Sequence, residues 1–199
     1  MNQTKSEPMV RKKIARVRNK KQLTILPTNQ LLQQIWDYLV SRPNKKGESQ
    51  KDKREGLYLL CWKVGLRITE VIGFDLSLEH QQAEYKNLYL LRGKRDKERW
   101  VFISPEIVKE LKKRNWQPQQ TNRISFFDFL AKIKEEMGIS ENIELSPHTL
   151  RRCFATHQAI SGMPLPVLQK VLGHSRISTT ALYIKDSDLG NLVKFKPIG

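Results

Sequence analysis

His148, Arg151, His174 and Tyr183 lie together in the stretch SPHTLRRCFATHQAISGMPLPVLQKVLGHSRISTTALYIK, residues 146–185. These four residue types can carry out phosphoryl transfer without a metal. A free tyrosine hydroxyl titrates near pH 10, at about 10, and is a poor nucleophile at neutral pH. It needs a base for its proton and a cationic cradle for the phosphate it attacks. Histidine and arginine supply both. Upstream, Gly65-Leu66-Arg67-Ile68-Thr69-Glu70 sets an acid three residues after an arginine, and Gly93-Lys94 sets a lysine directly after a glycine. Alone, Arg-x-x-Glu on a helix is an ordinary i,i+3 surface pair worth about 0.2–0.5 kcal/mol. The information lies in the conjunction.

The elements that must position these side chains follow from pattern. Thr28 is a candidate N-cap ahead of Leu31, Ile35 and Leu39 at helical spacing. A polar loop over 41–52 precedes a helix over 54–64 with Leu57, Leu60, Cys61 and Val64 on one face. Gly65 breaks that helix and presents Arg67, and a short helix over 68–74 holds Glu70 one turn on. Residues 88–92 and 98–103 alternate as two antiparallel strands joined by a basic turn, 93–97. Pro105 opens a helix to about residue 114. A loop over 115–122 follows, and Trp116 within it is too isolated to interpret. Residues 125–137 are amphipathic through Phe126, Phe129, Leu130 and Ile133, which reads as core packing rather than base stacking. Ser146-Pro147 caps a helix on which His148 and Arg151, at i,i+3, share a face. Gly162 stops it. A short helix over 165–172 ends at Gly173, and residues 175–180 lead into the helix bearing Tyr183.

Taken together, Arg67 with Glu70, Lys94, His148 with Arg151, the Leu-Gly-His-Ser run ending at His174 and Ser175, and Tyr183 resemble the tyrosine recombinase (phage integrase) family motif by motif, over about residues 26–185. The resemblance implies that family's catalytic-domain fold, mostly α with a small antiparallel β hairpin, an α+β class. It implies a site-specific DNA recombinase of integrase or invertase type, working through a 3′-phosphotyrosyl intermediate. Arg67, Lys94, His148, Arg151, His174 and Tyr183 would be catalytic, with Tyr183 the nucleophile and Lys97 the alternative to Lys94. Glu70 would orient Arg67 from behind. Lys97 and Arg99 would contact the DNA backbone. No metal and no cofactor is implied.

The resemblance is to short members with only a catalytic domain, such as the fimbrial-switch invertases, so no separate core-binding domain is expected ahead of residue 25. One position departs from the pattern: Arg152 stands where many relatives have a histidine, which implies a local packing change and no loss of chemistry. Expected partners are double-stranded DNA, further copies of the chain in a tetrameric synapse, and accessory DNA-bending proteins. Two other readings are a catalytically silent DNA-binding regulator on the same fold and a type IB topoisomerase-like enzyme.

Composition agrees with a polyanionic partner without identifying it. Lys and Arg number 36 against 20 Asp and Glu, a net charge of +16, which gives strong, salt-sensitive attraction to nucleic acid. A ribosomal or other RNA-binding protein would share that charge. Residues 1–24 read as a basic arm in which Arg11, Lys12 and Lys13 are candidate phosphate contacts, 25–185 as the catalytic domain, and 186–199 as a short tail. Cys61 and Cys153 have no metal-ligand or Cys-x-x-Cys spacing and read as buried small hydrophobes. No apolar run approaches the roughly 20 residues that cross a bilayer, so no membrane partner and a cytoplasmic, DNA-associated location are expected. A basic, acid-poor leader also suits organelle targeting, although its single serine counts against that.

Overall fold

The computed structural model describes residues 25–43, 51–92, 98–118 and 123–185, with residues 183–185 described by backbone alone. The element order is α1 (Asn29–Ser41), α2 (Lys51–Lys63), α3 (Ile68–Ile72), two short 3₁₀ turns, β1 (Leu88–Arg92), β2 (Glu98–Phe102), α4 (Pro105–Lys113), α5 (Arg123–Glu136), α6 (Pro147–Ile160), α7 (Leu165–Leu172) and α8 (Ile177–Lys185). Mostly helical with one two-stranded antiparallel sheet, it has the architecture expected from the sequence.

Thr28 caps α1 as its position predicts: its hydroxyl accepts from the Leu31 amide at 3.2 Å, satisfying one of the helix's orphan donors. Leu32, Ile35 and Leu39 form the buried stripe of α1. The helix α2 differs from expectation. It is not one-faced: every residue from Glu55 to Trp62 is buried, as befits a helix surrounded by others. The charge of Glu55 is tolerated there because Arg114 Nε donates to its Oε2 at 2.6 Å, a pairing that a buried carboxylate requires.

Trp116 has a clear role. Its indole Nε1 donates to the Phe74 carbonyl at 3.0 Å, and its ring lies so close to α2 that a Cβ at Gly56 would stand 2.4 Å from it. A glycine in mid-helix, which normally costs stability, here admits an aromatic ring. Phe126, Phe129, Leu130 and Ile133 are the buried residues of α5, in agreement with the core-packing reading.

The sheet pairs Tyr89 with Val101 and Leu91 with Arg99. Tyr89, Leu91 and Val101 are buried, whereas Trp100 and Phe102 on the opposite face are exposed. This parity places Arg99 on the inward side of β2. The main core joins α1, α2, α4, α5, the sheet and the start of α6, and a smaller cluster of Ala155, Leu168 and Leu172 holds α7 against α6. Cys61 and Cys153 are buried and unpaired with each other, as expected. Among the described residues no helix is long and apolar enough to cross a membrane.

Candidate active site

The end of α7 organises the site. Gly173 adopts a left-handed conformation, φ 61° and ψ 43°, so the chain leaves the helix in a Schellman turn: the Gly173 amide donates to Lys170 O at 3.0 Å and the His174 amide to Gln169 O at 3.1 Å. That turn satisfies the carbonyls of residues 169 and 170 and leaves the next three. Each of those three accepts from a different arginine. Arg99 Nε donates to Val171 O at 3.1 Å, Arg151 Nη2 donates to Leu172 O, and Arg67 Nη2 donates to Gly173 O at 2.9 Å. The negative end of the helix dipole reinforces this gathering of cations.

The same three arginines surround one carboxylate. Glu70 is the third residue of α3, and its Oε2 accepts from the Arg67 backbone amide at 2.8 Å, half of a capping box. Arg67 Nη1 donates to Glu70 Oε1 at 2.8 Å. Arg99 straddles the carboxylate, Nη1 to Oε1 at 2.5 Å and Nη2 to Oε2 at 3.0 Å. Arg151 Nη1 stands 3.7 Å from Oε2 and donates to Gly65 O at 2.7 Å. Burial pushes the Glu70 carboxyl up, but the Arg99 hydrogen bonds and charge, then the Arg67 amide and charge, outweigh it and hold the group below the ordinary carboxylate range. Three guanidinium groups facing one carboxylate leave an excess of two positive charges.

These cations differ in access. The Arg67 side chain is 40% exposed, that of Arg99 15% and that of Arg151 4%, so Arg67 is the one most open to an incoming anion. Gly65 allows Arg151 to reach its place: φ is 72° there, and a Cβ would lie 2.2 Å from the Phe154 ring.

His148 and Arg151 share α6, whose start is fixed by Ser146 accepting from the Thr149 amide at 3.1 Å and by Pro147. His148 is exposed, yet partial burial of its ring, then the charges of Arg152 and Arg151, lower its pKa. His174 follows the Schellman turn directly. Its Nε2 lies 3.3 Å from Arg151 Nη2 and its Nδ1 3.0 Å from Thr180 Oγ1. Burial first, and then the charges of Arg151, Arg67, Arg99 and His148, depress its pKa to about 4, so the ring is neutral at physiological pH. An open cleft of about 540 Å³ between β2 and α7 runs along His174, with Arg99, Trp100 and Lys170 in its wall.

The structure thus brings Arg67, Glu70, Arg151 and His174 into one network, with His148 on the same helix as Arg151. The backbone of Tyr183 lies on α8; its side chain falls outside the described residues, as do Lys94, Lys97, Arg11, Lys12 and Lys13. Arg99, expected at the DNA backbone, makes contacts that the sequence reading missed: its guanidinium donates to Glu70 and to the Val171 carbonyl, in keeping with the inward parity that it shares with Val101 on β2. Thr180, fully buried, and Gln169, whose Nε2 donates to His174 O at 3.0 Å, were also missed. Among the described residues no group of three or more His, Cys, Asp or Glu side chains could hold a metal ion.

A family model described as the phage integrase family matches residues 28–189. The chain belongs to the phage integrase family. This integrase-family chain is 33% identical over 166 residues to the tyrosine recombinase XerD of Lacticaseibacillus casei, covering 74% of this chain and 55% of that protein. It is 29% identical over 141 residues to the tyrosine recombinase XerA of Pyrococcus furiosus, covering 65% and 49%. The chain therefore spans about half the length of the curated relatives it matches. Among solved structures it resembles XerH site-specific recombinase bound to palindromic difH substrate in a post-cleavage complex, with TM-score 0.67 and 16% identity over 88% of this chain and 54% of that one. The catalytic domain of bacteriophage HP1 integrase matches with TM-score 0.58 and 21% identity, covering 88% and 96%. At those identities the likenesses establish the integrase catalytic fold.

Proposed function

We propose that this chain cleaves and rejoins double-stranded DNA at specific sites through a 3′-phosphotyrosyl intermediate. The observation that carries the reading is the convergence of Arg67, Arg151 and His174 on the end of α7, immediately before the helix bearing Tyr183. Relatives named as tyrosine recombinases support the same assignment.

In this reading Arg67 and Arg151 grip the nonbridging oxygens of the scissile phosphate, where charge accumulates in the transition state. His174 adds a hydrogen bond. The Tyr183 hydroxyl attacks phosphorus, forming the Tyr Oη–P bond as the P–O5′ bond breaks. His148, kept neutral by its lowered pKa, takes the phenolic proton, and Lys94 gives a proton to the departing 5′ oxygen. One phosphodiester replaces another, so a 5′ hydroxyl from a second strand reverses the step and exchanges strands without nucleotide hydrolysis. Lys97 and the basic arm with Arg11, Lys12 and Lys13 track flanking phosphates. Assembly is as a tetramer of this chain on DNA, assisted by DNA-bending proteins.

Covalent trapping tests the reading. Wild type and Tyr183→Phe are incubated with nicked duplexes drawn from DNA flanking the chain's own gene and run on a denaturing gel. A slow-migrating adduct in wild type alone is expected. Tight binding with no adduct in any duplex would replace this reading with that of a silent DNA-binding regulator, and adducts without strand exchange would favour a topoisomerase.

A further inference from the structure

We propose that Thr180 is a positioning residue: its hydroxyl selects which nitrogen of His174 carries the proton and ties the tyrosine-bearing helix to that choice. Only the kinetic part of the test below depends on the DNA-cleaving reading.

The hydrogen-bond partners assign the tautomer. A guanidinium has donors and no acceptor, so at the 3.3 Å contact with Arg151 Nη2 it is His174 Nε2 that accepts. A neutral imidazole carries one N–H, which therefore sits on Nδ1 and donates to Thr180 Oγ1 at 3.0 Å. The neutrality of the ring follows from its burial and from the charges of Arg151, Arg67 and Arg99 around it. Thr180 is fully buried on α8, three residues before Tyr183. Its hydroxyl is a contact between α8 and His174, and α8 packs against both α6 and α7.

This arrangement holds a contradiction that a hydroxyl resolves. With Nε2 accepting from Arg151, His174 cannot donate to an oxyanion. Such a donor is what a developing phosphorane charge calls for. An anion that takes the Arg151 N–H leaves Nε2 without its donor. The proton can then move to Nε2 without rotation of the ring, provided the partner at Nδ1 can change from acceptor to donor. A threonine hydroxyl does both; a carboxylate or a carbonyl in its place would lock the ring in one state. His174 is thus an acceptor while the cradle is empty and a donor once it is filled, and the side chain permitting the reversal sits on the helix that delivers the nucleophile.

The test uses full-length protein with ¹⁵N-labelled histidine, as wild type, Thr180→Ser and Thr180→Val, the last matching threonine in volume without a hydroxyl. Long-range ¹H–¹⁵N spectra without DNA, near neutral pH, should show His174 protonated on Nδ1 in wild type and Thr180→Ser, with that pattern lost in Thr180→Val. Wild type protonated on Nε2, or Thr180→Val unchanged, overturns the proposal. If Thr180→Val fails to fold, the wild-type and Thr180→Ser spectra still decide. In single-turnover cleavage, Thr180→Val should be slower by on the order of 10–100-fold, the usual cost of removing an orienting partner, with unchanged DNA affinity, and Thr180→Ser should recover most of the rate. Cleavage by Thr180→Val at the wild-type rate would overturn it too. Wild type that cleaves no DNA would sink the recombinase reading and leave the spectroscopic result standing.

Discussion

Arg99 grips Glu70 with both terminal nitrogens, at 2.5 and 3.0 Å, a fuller hold than Arg67 has through its guanidinium, although Arg67 shares the carboxylate's own helix. The acid of the Arg-x-x-Glu pair therefore does more than orient its neighbour. It is the common counterion that lets three arginines stand together, and Arg99, arriving from β2, is the foremost of the partners that oppose the cost of burying it.

Replacing Arg99 tests this. Arg99→Met should destabilise the fold by about 3 kcal/mol, the low end of the cost of stranding a buried charge, measured by urea unfolding near pH 7. Glu70 has a lowered folded-state pKa, so its contribution is present above the unfolded carboxylate value of about 4.3 and is lost as pH falls through the folded value. Without Arg99, burial is less opposed, the folded pKa rises, and the acid loss of stability should begin at higher pH. Arg99→Lys, with a point charge and no fork, should recover only part of the difference. An unchanged acid limb in Arg99→Met would show that Arg67 and Arg151 alone hold the charge.

The depressed pKa of His174 makes an independent pH prediction. A histidine at about 4 when folded and about 6.5 when unfolded leaves the unfolded chain binding more protons between those values. Stability is therefore complete above the unfolded value and declines as pH falls through that window. His174→Gln should flatten the part of the stability–pH curve between the two. Superimposable slopes would mean that the ring is solvated and titrates normally.

Inorganic phosphate, titrated into Tyr183→Phe, should move the His174 proton from Nδ1 to Nε2. It should at the same time perturb the side-chain resonances of Arg67 and Arg151. Phosphate that shifts the arginines while His174 keeps its proton on Nδ1 would mean that the histidine does not donate to the bound anion.

Two glycines with similar positive φ separate conformation from space. Gly65 has φ 72° with the Phe154 ring 2.2 Å from a built Cβ, whereas Gly138 has φ 61° and nothing within 4 Å. Gly138→Ala should cost about 1 kcal/mol, the left-handed penalty alone. Gly65→Ala should cost about 1–3 kcal/mol more for overpacking and should displace the Gly65 carbonyl that Arg151 uses. Equal melting temperatures would show that the Phe154 ring moves aside freely.

Local signals were legible in the sequence and long-range ones were not. Thr28 and Ser146 announce their helices because a cap is read within three residues. The strands at 88–92 and 98–102 follow from alternation, and Gly173 marks a turn because only a left-handed residue closes it without strain. Trp116 gave no signal, because its partners, Gly56 and Phe74, lie far away in the chain. The all-round burial of α2 was hidden by its charged residues, Glu55 among them, whose partner Arg114 comes from the end of α4. At the site, residue types and spacing singled out Arg67, Arg151 and His174. They could not reveal that Thr180 receives a histidine proton. The contacts of Arg99 with Glu70 and Val171 were not legible either, since a basic residue beside a basic turn suggests solvent, although its strand parity points inward.

The three carbonyls at the end of α7 are held from β2, α6 and the α2–α3 junction, yet α7 itself rests on the small Ala155–Leu168–Leu172 cluster and not on the main core. Opening this one eight-residue helix would take a carbonyl acceptor from each of three guanidinium groups at once, leaving them on Glu70 alone or with the Gly65 carbonyl, while the rest of the molecule stayed folded. Loss of the cradle should then be all-or-none and precede global melting, and amide exchange at residues 165–174 would report site integrity more directly than any melting temperature.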